Sequence, residues 1–384
     1  MGVVPPFPAG PRFESHDVAD FGVLMKTIRT SLLLLLTAFI VMACGEVKVA
    51  ATGQDDEILV FADDSTWAML DSTVIETFQD TVLTPQPEPW YSIKRVPFED
   101  YSTYEQQVYR IVLAPLNGTG QVATFVKESL EPSVQQLVTD GKDFVFNKYD
   151  SKARGQLLMF LVAADLPSLK SVLETKGTDL LYYFRSMALK RELADLASER
   201  SYQKLGIERS LLDRYEWTMT VQHDFFVAID SAESRFFWMR RANPTDMERW
   251  IFVSWLDAPN PNMLTDKYAI SVRDSLTRQH LRTVSEDAHV EIAPYNLEIQ
   301  NISFLGRFAY EMRGNWRFSD KSGGGPFVNY TFYDERSRRI YVVDGSIFAP
   351  RVEKKKLILQ VDAILHTFRT AAELSEEDRE ELGY

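Results

Sequence analysis

The sequence predicts an α+β fold: mostly antiparallel sheets packed with amphipathic helices, arranged as two lobes of similar coarse order. Three observations lead there. Strand-like and helix-like segments alternate in both halves of the chain. Neighbouring strand candidates, as in "PFVNYTFYDERSRRIYVVDG" (Pro326–Gly345), lie close enough to form hairpins, and hairpins are antiparallel. The composition, 45% hydrophobic with 12% aromatic, is sufficient for a sizeable core in a chain of 384 residues.

The chain opens on segments that do not belong to that fold. Ser31 to Met42 is almost wholly apolar, preceded by Lys26 and Arg29 and followed by the small residue Ala43 and by Cys44, the only cysteine. The run is shorter than the roughly 20 residues that span a bilayer. A charged start, an apolar stretch and then small residues is the layout of a secretory leader. "Val41-Met42-Ala43-Cys44" resembles a bacterial lipobox, which implies cleavage before Cys44 and acylation of its sulfur and new amino group. Each buried methylene of an acyl chain contributes about 0.8 kcal/mol, so several chains on one residue anchor stably. Residues 1–24 are Pro-rich and carry Glu14, Asp17 and Asp20, which fits badly ahead of a leader. They read as a mis-called start region, with Met25 as the true start. The expected order is then leader 25–43, tether 44–57, N-terminal lobe 58–206, C-terminal lobe 207–370 and acidic tail 371–384. Gly45 stands where an Asp would favour inner-membrane retention, so the expected location is the outer membrane, facing periplasm or surface. The membrane partner is reached only through the lipid on Cys44.

Within the N-terminal lobe, "EILVFADD" (Glu57–Asp64) reads as a strand ending in turn-formers. Trp67, Leu70, Val74 and Phe78 then share one face of a helix, with Ser65 as its N-cap. "TPQPEP" (Thr84–Pro89) must be a loop. "WYSIKRVPF" and "VYRIVLAPL" read as strands, residues 121–150 mix helix with strand, and "GQLLMFLVAADLPSLKSVLETKG" reads as helix broken at Pro167. Thr178 to Arg214 is a long charged amphipathic helical region that Gly206 divides.

The C-terminal lobe begins with aromatic, β-rich segments, "WTMTVQHDFFVAID", "RFFWMRR" and "RWIFVSWLDA". A short helix follows in "SVRDSLTRQHLRTV". Three strands come next, "FAYEMRGNWRF", "GGGPFVNYTFYD" and "RRIYVVDGSIFAP". "EKKKLILQVDAILHTFR" closes the lobe as an amphipathic helix, and "ELSEEDREELGY" reads as a frayed tail.

Charge and motifs narrow the chemistry. The net charge of −13 and the lack of a basic stripe argue against nucleic acid as a partner. A single cysteine excludes intrachain disulfides and multi-cysteine metal sites. His223, His280, His289 and His366 are far apart and show no metal-ligand spacing, so neither a metal nor a cofactor is expected. Gly323, Gly324 and Gly325 lead into a strand rather than a helix, which suits a tight turn or bulge better than a phosphate cradle. Asp63 and Asp64 at a strand end are explained by turn formation before cation binding. The aromatics between Trp217 and Trp255, Trp238 and Trp250 among them, form either a two-sided core or a groove beside Arg235, Arg240 and Arg241.

"PQPEPWYSIKRVPFEDY", "YRIVLAPL", "FFWMRR" and "MRGNW…GGGPFVNYTFYD…RIYVVDGSIFAP" together resemble the lipoprotein family catalogued as domain of unknown function 4837, found mainly in Bacteroidota. The similarity extends over most of Ile58 to Arg369 and is most specific from Arg313 to Pro350. It implies an extracytoplasmic, anchored protein, and that family brings no assigned activity or ligand. Here Ser322 and Gly323 stand where the family usually has Met before the glycines.

Two functional classes follow. The first is a tethered binding module that holds an envelope protein or glycan, with Trp238, Trp250, Arg313, Trp316, the three glycines and Asp344 as candidate ligand-binding residues. The second is an envelope hydrolase near the glycine loop, using Asp320, Asp334 or Asp344 with Arg313. The two are separated by whether Arg313, Trp316, the glycine loop and Asp344 converge on one pocket. A structural spacer is the third reading.

Overall fold

The computed structural model describes residues 48–384 apart from 199–201, 243–246, 284 and 286. The expected leader, the Cys44 anchor and the start of the tether lie outside the described residues. Residues 50–384 form one unit and are described here. Among the described residues, no helix is long and apolar enough to cross a membrane.

The apolar run at the start of the body is strand β1 (Glu57–Phe61), followed by helix α1 (Asp64–Phe78). Leu70, Val74 and Phe78 recur every fourth residue and are buried, while Trp67 is half-buried. The N-cap is Asp63 rather than Ser65, which lies inside the first turn. Asp63 does not cap its own helix. Its carboxylate accepts the N–H groups of Val122 and Ala123, at 3.0 and 3.1 Å, and so caps α2 (Gln121–Ser129).

The Pro-rich loop is closed by a two-residue ladder between β2 (Thr81–Val82) and β3 (Glu88–Pro89). Then come β4 (Ser92–Arg95), β5 (Tyr109–Pro115), α2, α3 (Pro132–Thr139), β6 (Val145–Tyr149) and β7 (Leu157–Ala163). The strand order is β4-β1-β5-β7-β6. The first four strands are parallel and β6 is antiparallel. "LLMFLVA" is therefore a strand, not the helix its sequence suggests. A central parallel strand is covered on both faces, so it shows no alternation; every residue of β5 and β7 is buried. Pro167 does not break a helix but sits in the first turn of α4 (Leu166–Ser198), where its missing N–H costs nothing. Helices α2 and α3 cover one face of this sheet, α1 and α4 the other.

After α5 (Leu205–Tyr215) and β8 (Trp217–Thr218), the pairing becomes antiparallel, as the hairpin spacing predicts. The strands are β9 (Phe226–Ser231), β10 (Phe236–Ala242), β11 (Glu248–Asp257), β12 (Val290–Ile292), β13 (Glu298–Phe304), β14 (Arg307–Phe318), β15 (Gly324–Asp334) and β16 (Arg339–Phe348). They run in the order β12-β14-β15-β16-β11-β10-β9, with β13 also paired to β14. Helix α6 (Asp266–His280) inserts between β11 and β12 and covers one face. Helix α7 (Lys355–Leu365) covers the other and packs against α4, so both sheets share one core. The N-terminus of α7 is capped from a distance: Glu88 accepts the N–H groups of Lys354 and Lys355 at 2.8 and 2.9 Å.

The acidic tail is docked rather than frayed. After β17 (Arg369–Thr370), α8 (Glu376–Glu381) starts with a capping box between Ser375 and Asp378. Leu382 is buried, its carbonyl accepts from Arg209 Nε at 2.6 Å, and the Tyr384 hydroxyl donates to Asp213 on α5. One apolar anchor and a capped helix hold a segment whose charge alone suggests solvent.

The glycines belong to strand packing. Gly324 and Gly325 open β15, with Gly323 in the preceding turn. A Cβ on Gly325 would lie 1.9 Å from the Ile347 carbonyl oxygen and 3.3 Å from Trp316 Nε1. The bare backbone lets the Trp316 indole cross β15 and donate to Ile347 O on β16 at 3.1 Å. Gly345 similarly admits Val361 of α7. Gly325→Ala is expected to destabilise by about 2 kcal/mol or more through overpacking. Gly206→Ala in the first turn of α5, where nothing lies within 4 Å, should be neutral or stabilising. Urea denaturation of the two variants checks the contrast, and equal midpoints would refute this account of the glycine.

Candidate functional site

The antiparallel sheet sorts the residues of β14 by parity. Glu311 and Arg313 point towards α7, and Met312 and Trp316 towards α6. On the α7 side the Arg313 guanidinium donates to Asp362 Oδ2 at 2.6 Å, to Glu311 Oε1 at 2.7 Å and to the Tyr330 hydroxyl oxygen at 3.3 Å. Tyr330 OH donates to Asp362 Oδ1 at 2.7 Å, and His366 Nδ1 lies 3.2 Å from the same oxygen. Gln300 of β13 donates to Glu311 at 2.5 Å. Phe304 stacks on Tyr330 with ring centroids 4.0 Å apart.

This network lines a cleft of about 280 Å³ between β13–β15, α7 and α4. Trp90, Tyr182, Leu189, Ile302, Ile358 and Leu359 give it apolar walls. A recess of about 110 Å³ shares Trp90, Arg185, Arg313 and Ile358 with it. Arg185 of α4 lies 4.6 Å from the Trp90 ring centroid, a cation–π stack, and makes no hydrogen bond or ion pair among the described residues. Burial lowers its pKa, as does the neighbouring charge of Arg313, against the attraction of Glu311 and Asp362. Arg313 is satisfied by two carboxylates; Arg185 faces the cleft with its donors unused.

The titration of the network follows from the same contacts. Burial opposes the charge on Asp362, but Arg313, and then His366, outweigh it and hold its carboxyl well below the usual range. For His366, burial lowers the pKa, while the hydrogen bond and charge of Asp362 raise it further, leaving a net increase above 6.5. Tyr330 is pushed well up by burial and by Asp362.

The residues proposed from sequence do not meet in one pocket. Arg313 lines the cleft. Asp344 lies on the opposite face of the sheet, where it accepts from Arg273 Nε at 2.6 Å and Asn329 Nδ2 at 3.0 Å, with both ionic side chains essentially inaccessible. Trp250 packs on Trp316 with centroids 4.7 Å apart and on Trp238 at 6.2 Å, in the core beneath α6. The aromatic cluster is thus a two-sided core. Asp320 accepts from Ser322 N in a turn, and Asp334 accepts from Arg307 Nε at 2.9 Å. These carboxylates share no cleft with Arg313, so the hydrolase reading loses the site it was built on. Glu311 and the Asp362–His366 pair went unpredicted, although spacing of two on a strand and four on a helix carries both. Arg185 and Trp90 have no such local signal.

Residues 204–367 match the model of the domain of unknown function DUF4837. That segment is a DUF4837 domain. Residues 51–196 match a different one, DUF8532, so the DUF4837 resemblance does not extend over the N-terminal sheet as expected from sequence. The DUF4837 domain supplies Glu311, Arg313, Tyr330, Asp362 and His366, and the DUF8532 segment supplies Trp90 and Arg185. A search of curated proteins finds no match. Among solved structures, the chain is similar to the Ran-binding protein Mog1p of Saccharomyces cerevisiae, with 9% identity over 41% of this chain and 90% of that one, TM-score 0.28. It is also similar to LpqN of Mycobacterium tuberculosis, whose structure is described as involved in cell envelope biogenesis, with 12% identity over 40% of this chain and 81% of that one, TM-score 0.25. At these scores neither likeness bears on function.

His366 in the DUF4837 domain gives a pH test. Its folded pKa is raised, so its stabilising contribution is complete below the ordinary 6.5 and is lost as pH rises through the folded value. Urea denaturation from pH 5.5 to 8.5, at roughly half-unit steps across the imidazole range, should show wild type losing stability relative to His366→Gln as pH rises. Parallel curves would contradict the coupling to Asp362.

Proposed function

We propose that the protein is a lipid-anchored binding module of the cell envelope, held at the outer membrane through Cys44 and facing periplasm or surface. In this reading its inter-sheet cleft takes a carboxylate or phosphate carried on an apolar body, presented by an envelope protein or glycan. The observation that carries the ligand chemistry is Arg185: a guanidinium pre-oriented on Trp90, without an acceptor among the described residues, in a cleft whose apolar walls stand beside the internally paired Arg313 network. Such an arginine is a ready partner for an oxyanion. The apolar walls bury the remainder of the ligand. The reading of the anchor rests on the order of Lys26, Arg29, the apolar run, Ala43 and Cys44.

Decanoate is the simplest probe of that chemistry, with decanol as its uncharged match. Decanoate should bind more tightly by calorimetry. Arg185→Gln should cost about 1.5–3 kcal/mol, the range for a hydrogen bond to a charged group, and erase the preference. Equal binding of acid and alcohol, or an indifferent Arg185→Gln, would remove this assignment of the cleft. The anchor is tested separately by growing cells with a palmitate analogue. Wild type should take up label and Cys44→Ser should not; label retained in the variant would place the lipid elsewhere.

A further inference from the structure

On the other flank of α7 lies a second cavity, of about 510 Å³, which shares no lining residue with the inter-sheet cleft. Its walls carry opposite charge. Helix α4 contributes Glu192 and Asp195; β11 and α7 contribute Arg249 and Lys356. Asp224 and Arg241, also at the cavity, are paired with each other through a carboxylate oxygen and Nε. The remaining charges form no ion pair among the described residues. Among the described residues Glu192 and Lys356 make no hydrogen bond or ion pair, and Arg249 makes one hydrogen bond, to Gln360 Oε1 at 2.8 Å, and no ion pair.

Glu192 and Arg249 are half-buried, and Asp195 and Lys356 are exposed. The two buried charges feel an opposite charge across the cavity but close no ion pair with it, which leaves part of their desolvation cost uncompensated. Burial moves both in the direction of neutrality: it raises the Glu192 carboxyl against the attraction of Lys356, and lowers Arg249 to about 10, with Arg241 adding to the latter and Asp224 opposing it. A simple anion would be attracted to one wall and repelled by the other, and a simple cation likewise. We propose that this cavity is a second binding site, for a small zwitterion with a free ammonium and a free carboxylate: an amino acid or short peptide. The ammonium lies against Glu192 and Asp195, and the carboxylate against Arg249 and Lys356. The ligand completes two half-made ion pairs at once, and loss of either charge removes one of them.

Calorimetric titration of the purified full chain with alanylalanine, its N-acetyl form and its C-terminal amide tests this. The dipeptide should bind one to one, and each capped form about ten-fold more weakly or worse, 1.4 kcal/mol. Arg249→Gln should erase the penalty for amidation and keep that for acetylation; Glu192→Gln should do the reverse. Arg185→Gln should leave dipeptide binding unchanged, which separates this site from the inter-sheet cleft. The three wild-type titrations need no variant to fold. Equal binding of capped and free forms, or no heat from any of them at millimolar concentration, would overturn the proposal.

Discussion

Arg313 joins the eight-stranded sheet to α7, and the geometry around it follows from how its charge is compensated. Two carboxylates, Glu311 and Asp362, converge on one guanidinium in a buried setting. That leaves an excess negative charge, which His366 offsets when it is protonated, and its pKa is raised accordingly. Removing one partner from a buried pair costs about 3–5 kcal/mol, because the other charge is then stranded. The docking of α7 is therefore fixed by a closed electrostatic network as well as by apolar contact. Since α7 forms one wall of both cavities, the same network fixes the shape of both.

The cavities do not coincide with the divisions of the sequence. The match to DUF8532 ends before that to DUF4837 begins, yet the inter-sheet cleft takes Trp90 and Arg185 from the first segment and its ionic network from the second. Two capping carboxylates also tie distant stretches together: Glu88 reaches α7 from the first segment, and Asp63, within the first segment, reaches Val122 of α2, 59 residues further along the chain. Long-range caps of this kind hold the relative placement of elements that share little local contact.

What the sequence could reveal followed the range of the interactions involved. The hairpins of β14–β16 were legible because strand alternation and short turns are local signals. The amphipathic face of α1 was legible for the same reason. β7 was not, because a strand buried on both faces has no alternation, and seven apolar residues suit either element. The docked tail was hidden by its acidic composition, since one leucine and a capping box decide its position. Candidate residues three apart on a strand, such as Arg313 and Trp316, were bound to fall on opposite faces, which periodicity alone establishes. The Arg185–Trp90 stack joins positions far apart in sequence, and nothing local announces it.

The distribution of tryptophan follows from this architecture and has an optical consequence. Trp217, Trp238, Trp250, Trp255 and Trp316 all lie in the antiparallel half, packed among aromatic rings and aliphatic side chains, while the other half holds only Trp67 and Trp90. Intrinsic emission from this protein is therefore dominated by one sheet. It reports the packing of that sheet, with Trp90 as the single indole placed to sense an occupant of the inter-sheet cleft.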